Sequence, residues 1–225
     1  MKRFALLITS LLLSTQALAL SLSELTQQDT ATAMKDALTQ GAQLAVSELG
    51  KPGGFSNNPD VRIELPGKLG SAARTLKMMG MGSRITALEN SMNQAAEAAV
   101  PQAQSILVNA ISRMSLTDAK GVLTGGNDSA TQYLERSSRE EIRALFLPVV
   151  KQATDQVGVA QQYNAFASQA AGFGVVDANA TSVESYVTEK ALDGLFEMIA
   201  QQEATIRSDP TAAASNLARK VFGAL

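Results

Sequence analysis

The sequence predicts an all-α protein, a single compact multi-helix bundle of eight to ten helices. Three observations carry that prediction. Period-2 alternation of apolar and polar residues is almost absent. Ala, Gln, Glu, Leu and Met, all good helix formers, dominate the chain. Apolar residues recur in steps of three and four over long stretches, the pattern of a helix with one buried face. A chain of 225 residues that is 45% hydrophobic can bury a substantial core.

The first helix is expected from about Ser23 to Leu49, with the stripe Leu25, Ala33, Met34, Ala37, Leu38, Leu44, Ala45 and Leu49. Gly41 in its middle marks a close contact with another helix. Pro52-Gly53-Gly54 stops that helix and Asn57-Asn58-Pro59 turns the chain again, which leaves Phe55 to fold back onto the core. Val61-Arg62-Ile63-Glu64-Leu65 alternates, but one short strand needs a partner and none is evident. This segment therefore reads as extended chain laid across helices.

Pro66 starts a helix to Met79, and Gly80-Met81-Gly82 breaks it. Ser83 caps the next helix, with Ile85, Leu88, Met92, Ala95, Ala96 and Ala99. Pro101 starts another, with Ile106, Leu107, Ala110, Ile111 and Met114. Thr117 is the expected cap of a short helix ending at Gly125-Gly126. Asp128 opens a segment to Arg136. Ser137 and Glu140 have capping-box spacing before a helix that buries Ile142, Leu145, Phe146, Val149, Val150 and Ala153. Pro148 kinks that helix or divides it. Further helices are expected over Val159–Ala170, from Ser182 to near Ile206, and after Asp209-Pro210 through Leu217, Val221 and Phe222, with a loop from Gly172-Phe173-Gly174 to Thr181. No linker is long enough to divide the chain, and no fixed-period repeat is visible.

The N-terminus reads as an export signal. Lys2 and Arg3 precede the apolar run Phe4–Leu13, and Ala17-Leu18-Ala19 fits the small-x-small cleavage pattern. Residues 1–19 are thus a signal peptide, and 20–225 a single all-helical domain in the periplasm. Loss of Lys2 and Arg3 changes the balance from 19 basic and 21 acidic residues to 17 and 21, a net of −4. No later stretch is long and apolar enough to span a bilayer.

Composition removes whole chemistries. There is no Cys, His or Trp, so Cys/His zinc sites, thiol nucleophiles, His general bases and disulfides are excluded. No basic excess points to nucleic acid. No cofactor and no metal is expected.

Five features could still carry function, each beside a plainer reading. Thr124-Gly125-Gly126-Asn127-Asp128-Ser129 could form an anion nest, or only a turn between helices. Glu89, Asn93 and Glu97 share a helical face, as an acid–base group or as a solvated, salt-bridged edge. Glu189 and Asp193 flank Gly194 and Phe196. A mid-helix glycine costs about 1 kcal/mol relative to Ala, so something approaches Gly194 closely, either another backbone or a ligand. Arg136, Arg139 and Arg143 could hold a carboxylate or phosphate, or be neutralised by Glu135, Glu140 and Glu141. Met78, Met79, Met81, Met92 and Met114 suit an adaptable apolar site or a core. Candidate ligand-binding residues are therefore Met92, Asn93, Tyr133, Arg139, Arg143, Gly194 and Phe196; no catalytic residue is assigned.

Several gapped blocks carry a resemblance. They are Gly53-Gly54-Phe55, Val61-Arg62-Ile63-x-Leu65-Pro66, Gly80-Met81-Gly82 and Met92-Asn93-x-Ala95-Ala96-Glu97-x-Ala99-x-Pro101. Met114-x-x-x-Asp118-Ala119 and Leu123-x-Gly125-Gly126 with Ala130-Thr131-x-Tyr133 follow. The longest runs from Tyr186-Val187-Thr188 through Lys190-Ala191-Leu192-Asp193-Gly194-Leu195-Phe196. Glu203, Ile206-Arg207-x-Asp209-Pro210 and Val221-Phe222-Gly223 close the set. From Leu22 to Phe222 the chain resembles the DUF4197 family, exported bacterial proteins without an assigned function. The resemblance implies a helical envelope protein and no catalytic assignment.

Three function classes remain open. The first is a periplasmic, non-enzymatic protein that binds a lipid or other apolar or amphipathic metabolite between helices. The second is a structural or envelope protein-interaction module without a ligand pocket. The least favoured is a carboxylate-based hydrolase, because the sequence leans away from an enzyme.

Overall fold

Thr26 and Asp29 set the start of the first described helix. The Thr26 hydroxyl accepts the Asp29 N–H, and the Asp29 carboxylate accepts the Thr26 N–H, a reciprocal capping box. This computed structural model describes residues 26–80, 82–156, 158, 161–163, 165 and 182–223. Eight α-helices lie among them. They are α1 (Gln27–Leu49), α2 (Gly67–Met78), α3 (Ser83–Ala99), α4 (Ala103–Ser112), α5 (Leu116–Leu123), α6 (Ser129–Gln156), α7 (Val183–Ser208) and α8 (Asn216–Phe222). A single 3₁₀ turn, Val100–Gln102, joins α3 to α4. No strand occurs among the described residues. The expected signal peptide, the helix over Val159–Ala170 and the loop from Gly172 to Thr181 fall mainly outside them.

The helices form a compact bundle. α6 and α7 make the most extensive contact, and α3 lies against both. α1 crosses α7 and also touches α4, α5 and α8, while α2 leans on α3. One apolar core runs through all of this, with Phe55, Phe146, Met34, Leu49, Met92, Leu107, Ile142 and Leu192 among its fully buried side chains. Burial follows most of the predicted stripes, because each helix turns its apolar steps of three and four inward, but Leu44 and Leu145, expected in those stripes, sit at their margins and are exposed. Gly41 meets Gln202 as expected of a close helix–helix crossing, since a Cβ there would stand 3.3 Å from the Gln202 Cβ.

Several boundaries differ from the expectation. Ser83 is the first helical residue of α3 and makes no capping bond. Ser115, not Thr117, caps α5, because Ser115 and Asp118 have the spacing of a second reciprocal box. Ser137 and Glu140 open nothing. α6 runs unbroken for 28 residues, and the Ser137 and Ser138 hydroxyls bond back to the Leu134 carbonyl inside it. Pro148 does not divide α6. The proline leaves the Ala144 carbonyl without its helical donor, but both residues are exposed, so the oxygen is open to solvent.

The segment between α1 and α2 runs through successive turns over 50–61 and only then as extended chain over 62–66. It buries Phe55, Val61, Ile63 and Leu65. Phe55 lies directly over Gly194. A Cβ at Gly194 would stand 2.7 Å from Phe55 Cε1 and 3.1 Å from Val61 Cβ. The close approach predicted at Gly194 is real, but a loop aromatic makes it, not another helix backbone. The ring is fully buried and its own backbone N–H is tied to Glu97 at 3.1 Å, so it has little room to retreat.

Gly194→Ala should therefore destabilise the protein by about 1–3 kcal/mol in denaturant melts. Phe55→Ala should cost about 3–5 kcal/mol through the cavity it leaves. The double variant should cost less than the sum, because the two sites share one contact. Additive losses would show that the Phe55 ring is not what the new methyl group meets.

Candidate functional site

Charged residues on the apolar stripes of α3 and α7 define the interior polar sites. In α7 the stripe runs Leu192, Leu195, Phe196 and Ile199, then places Glu203 in the next buried position. Its side chain is 4% exposed. There it meets the N-terminus of α6. The Ala130 N–H donates to Glu203 Oε1 at 3.0 Å, and the Thr131 N–H and hydroxyl donate to Oε2 at 2.9 Å each. Arg207, one turn later, completes the site. Its Nε and Nη2 reach Glu203 Oε1 at 3.0 and 2.8 Å. The same Nη2 donates to the Val122 carbonyl at 2.8 Å and to Ser129 Oγ at 3.0 Å. Ser129 Oγ donates in turn to Val122 O at 2.7 Å.

Electrostatics explain the arrangement. Helix N-termini expose N–H groups and favour anions, while C-termini expose carbonyls and favour cations. Glu203 thus caps α6 and Arg207 caps the last turn of α5, and the pair neutralises itself between them. The Gly125-to-Ser129 turn is adjacent to an anion, as the nest reading expected, but the anion is the protein's own carboxylate.

The α3 face carries the second polar seam. Glu89, Asn93 and Glu97 are 2%, 0% and 5% exposed, which corrects the expectation of a solvated edge. Asn93 acts as a surrogate strand partner for the extended segment. Its Oδ1 accepts the Ile63 N–H at 2.8 Å and its Nδ2 donates to Ile63 O at 2.8 Å. Glu97 Oε1 accepts the N–H groups of Phe55 and Ser56 and the Ser56 hydroxyl, all at 3.1 Å. Glu89 receives Lys77 of α2 at 2.5 Å, with Arg62 at 3.7 Å. Together they fasten the chain between α1 and α3 where backbone groups would otherwise be buried unpaired.

The charged clusters expected separately on α6 and α7 come together as one partly buried network. Arg139 reaches Glu135 and Asp193 at 2.7 Å and Glu189 at 2.9 Å, and lies 6.0 Å from the Phe196 ring centre. Arg143 holds Glu189 at 2.5 Å and also Glu140. The neutralisation foreseen from Glu135 and Glu140 is present, and α7 adds two more carboxylates. Hydrogen bonds from Arg143 hold the Glu189 carboxyl below its ordinary range despite partial burial. Burial pushes Asp193 up, but hydrogen bonds from Arg139 and Lys190 outweigh it and leave it low. A general acid needs a raised carboxyl pKa, and these two move the other way.

The other candidates disperse. Met92 is core. Tyr133 is half-buried on α6, its phenol pushed up by burial. Tyr186 donates to the Glu64 carbonyl at 2.8 Å, and burial pushes it up to about 12. The buried Thr188 hydroxyl has no partner among the described residues. The methionines split: Met92 and Met114 are buried, while Met78 and Met79 are 81% and 66% exposed.

Three pockets matter for what could bind. An apolar pocket between α1 and α7, lined by Met34, Leu38, Ile199 and Phe222, holds about 10 Å³, no more than one water needs. An open groove of about 530 Å³ runs between the start of α1 and α5, lined by Gln27, Ala31, Leu116, Lys120 and Leu123 among others. A shallow surface depression beside Arg136 and Arg139 is also faced by Glu135 and Glu140, so its charge is mixed. Among the described residues no three Asp or Glu side chains gather as metal ligands, and no helix is long and apolar enough to cross a membrane.

Sequence reasoning missed the roles of Glu203 and Arg207. The signal was available: a glutamate sits in the buried register of a long stripe, with an arginine four residues on. The fold and its sites define a helical domain whose buried carboxylates serve its own backbone. The chain belongs to the DUF4197 family, described as a protein of unknown function, which matches residues 24–223. No curated protein and no solved structure matches it.

Glu203→Ala should cost about 3–5 kcal/mol in denaturant melts, because it leaves Arg207 buried without its partner. Glu203→Gln keeps an acceptor at the cap and should cost clearly less; equal losses would mean that the cap depends wholly on the charge. The pH response should follow Glu189 and Asp193. Their folded values are depressed, so their stabilisation is complete above the ordinary carboxylate range and is lost as pH falls through the folded values. The melting midpoint should therefore fall on acidification below about pH 4. Arg139→Gln should flatten that fall, and an unchanged slope would remove this network as its source.

Proposed function

We propose that this chain is a non-enzymatic, exported helical protein that acts through its outer surface, an interaction module of the bacterial envelope. The observation that carries the reading is the use of its interior charges. Glu89, Asn93, Glu97, Glu203 and Arg207 are each engaged by the protein's own backbone or ion pairs. The pocket beside Glu203 has no room for a metabolite. The carboxylates at the α6–α7 seam are held ionised by arginines, which supports positioning of helices over proton transfer. Export rests on the Lys2-Arg3, Phe4–Leu13 and Ala17-Leu18-Ala19 pattern.

A second reading has one observation in its favour. The groove between α1 and α5 has the volume of a small-molecule site, and its lining mixes apolar Ala31, Leu116 and Leu123 with Gln27, Thr30 and Lys120. A bound amphipathic metabolite would lie there.

Native mass spectrometry of the protein isolated from its own envelope separates the readings. The expected species is the bare chain beginning at Leu20. A stoichiometric small molecule, lost in Thr117→Trp, would overturn the surface reading in favour of the groove. A chain that retains Met1 would reject export by cleavage.

A further inference from the structure

The segment from Leu65 to Leu88 contains Lys68, Arg74, Lys77 and Arg84 and not one acidic residue, in a chain whose acids outnumber its bases. It comprises α2, the turn after it and the first part of α3. Its charge is therefore opposite in sign to that of the chain as a whole. At the end of α2, Met78 and Met79 are the two most exposed large apolar side chains among the described residues, at 81% and 66%. α2 buries Leu69 and Ala73 on its inner side and presents this methionine end outward.

The cations around that end are only partly engaged. Arg84 is exposed and makes no ion pair among the described residues. Arg74 faces Glu64 at 3.3 Å, but their side chains are 65% and 56% exposed, and such pairs exchange readily with solvent and other anions. Lys77 is committed to the buried Glu89 and fixes the angle of α2 against α3.

We propose that the α2–α3 turn docks on an anionic phospholipid surface. Met78 and Met79 enter the interface, and Arg74 and Arg84 meet headgroup phosphates. The proposal rests on the reading that the chain acts through its surface. Two unbranched apolar side chains projecting beyond the fold suit a fluid interface better than a shaped protein groove. Flanking cations supply the attraction that so small an apolar area cannot provide alone. Such binding is peripheral and reversible, as expected where no described helix can cross a bilayer.

Vesicle flotation of the mature protein tests this. Wild type should float with phosphatidylglycerol-containing vesicles and not with phosphatidylcholine alone, and added salt should release it. Met78→Ser with Met79→Ser should abolish flotation while leaving the thermal midpoint in place, since both side chains are exposed. Met78→Leu with Met79→Leu should retain it. Arg84→Glu should weaken it by about tenfold. Absence of flotation, or flotation indifferent to the serine variants, would overturn the proposal. So would a wild-type dimer that the serine variants convert to monomer, because the face would then bind a second copy. Failed flotation with a bare native mass removes only the lipid partner. A retained metabolite would instead remove the surface reading beneath it.

Discussion

Two helix ends of opposite polarity meet in the interior of this protein, and one ion pair from a third helix satisfies both. Glu203 accepts N–H groups at the start of α6, and Arg207, with the Ser129 hydroxyl, donates to the Val122 carbonyl in the last turn of α5. Neither charge would be tolerable alone, because burial strips its water. Nor could the buried helix ends stand without partners. The pair and the two ends therefore require one another, and they fix where α5, α6 and α7 converge. Most of the bundle hangs on that convergence, since α6 and α7 form its central contact and α1 and α3 pack on them.

The same logic recurs on α3 with different chemistry. A segment that is neither helix nor strand must cross the core between α1 and α2, and its backbone groups need partners. Asn93 and Glu97 supply them, one as donor and acceptor together, the other as acceptor alone. The Glu97 bond holds the backbone of Phe55, and its ring in turn occupies the space left by the missing side chain at Gly194. A short run of contacts thus links α3, the loop and α7. The conspicuous polar and glycine residues of the sequence are explained by architecture before any ligand is considered.

What remains for recognition lies outside. The arginines and carboxylates of the α6–α7 seam are mutually saturated, while Arg84 at the start of α3 has no ion pair among the described residues and Arg74 only an exposed one. Buried and exposed methionines make the same contrast. Met92 and Met114 fill gaps, whereas Met78 and Met79 protrude with no described group covering them. An exposed apolar pair beside cations is the observation on which the proposed phospholipid contact rests.

The sequence by itself determined the helical class, the buried stripes, the inward return of Phe55 and the extended character of Val61 to Leu65. These follow from local periodicity and from Gly and Pro punctuation, which act within a few residues. Closeness at Gly194 was legible too, because a mid-helix glycine is costly wherever it occurs. Only the tertiary structure decided what presses on it, and that Glu89, Asn93 and Glu97 are buried. It also decided that α6 begins at Ser129, where Glu203, 73 residues beyond Ala130, caps it, with no new start at the local Ser137 and Glu140 signal. A carboxylate in an apolar stripe announces a buried partner without naming one. Its partner is a set of backbone N–H groups, identical at every position in sequence and exposed only where a helix happens to start beside it.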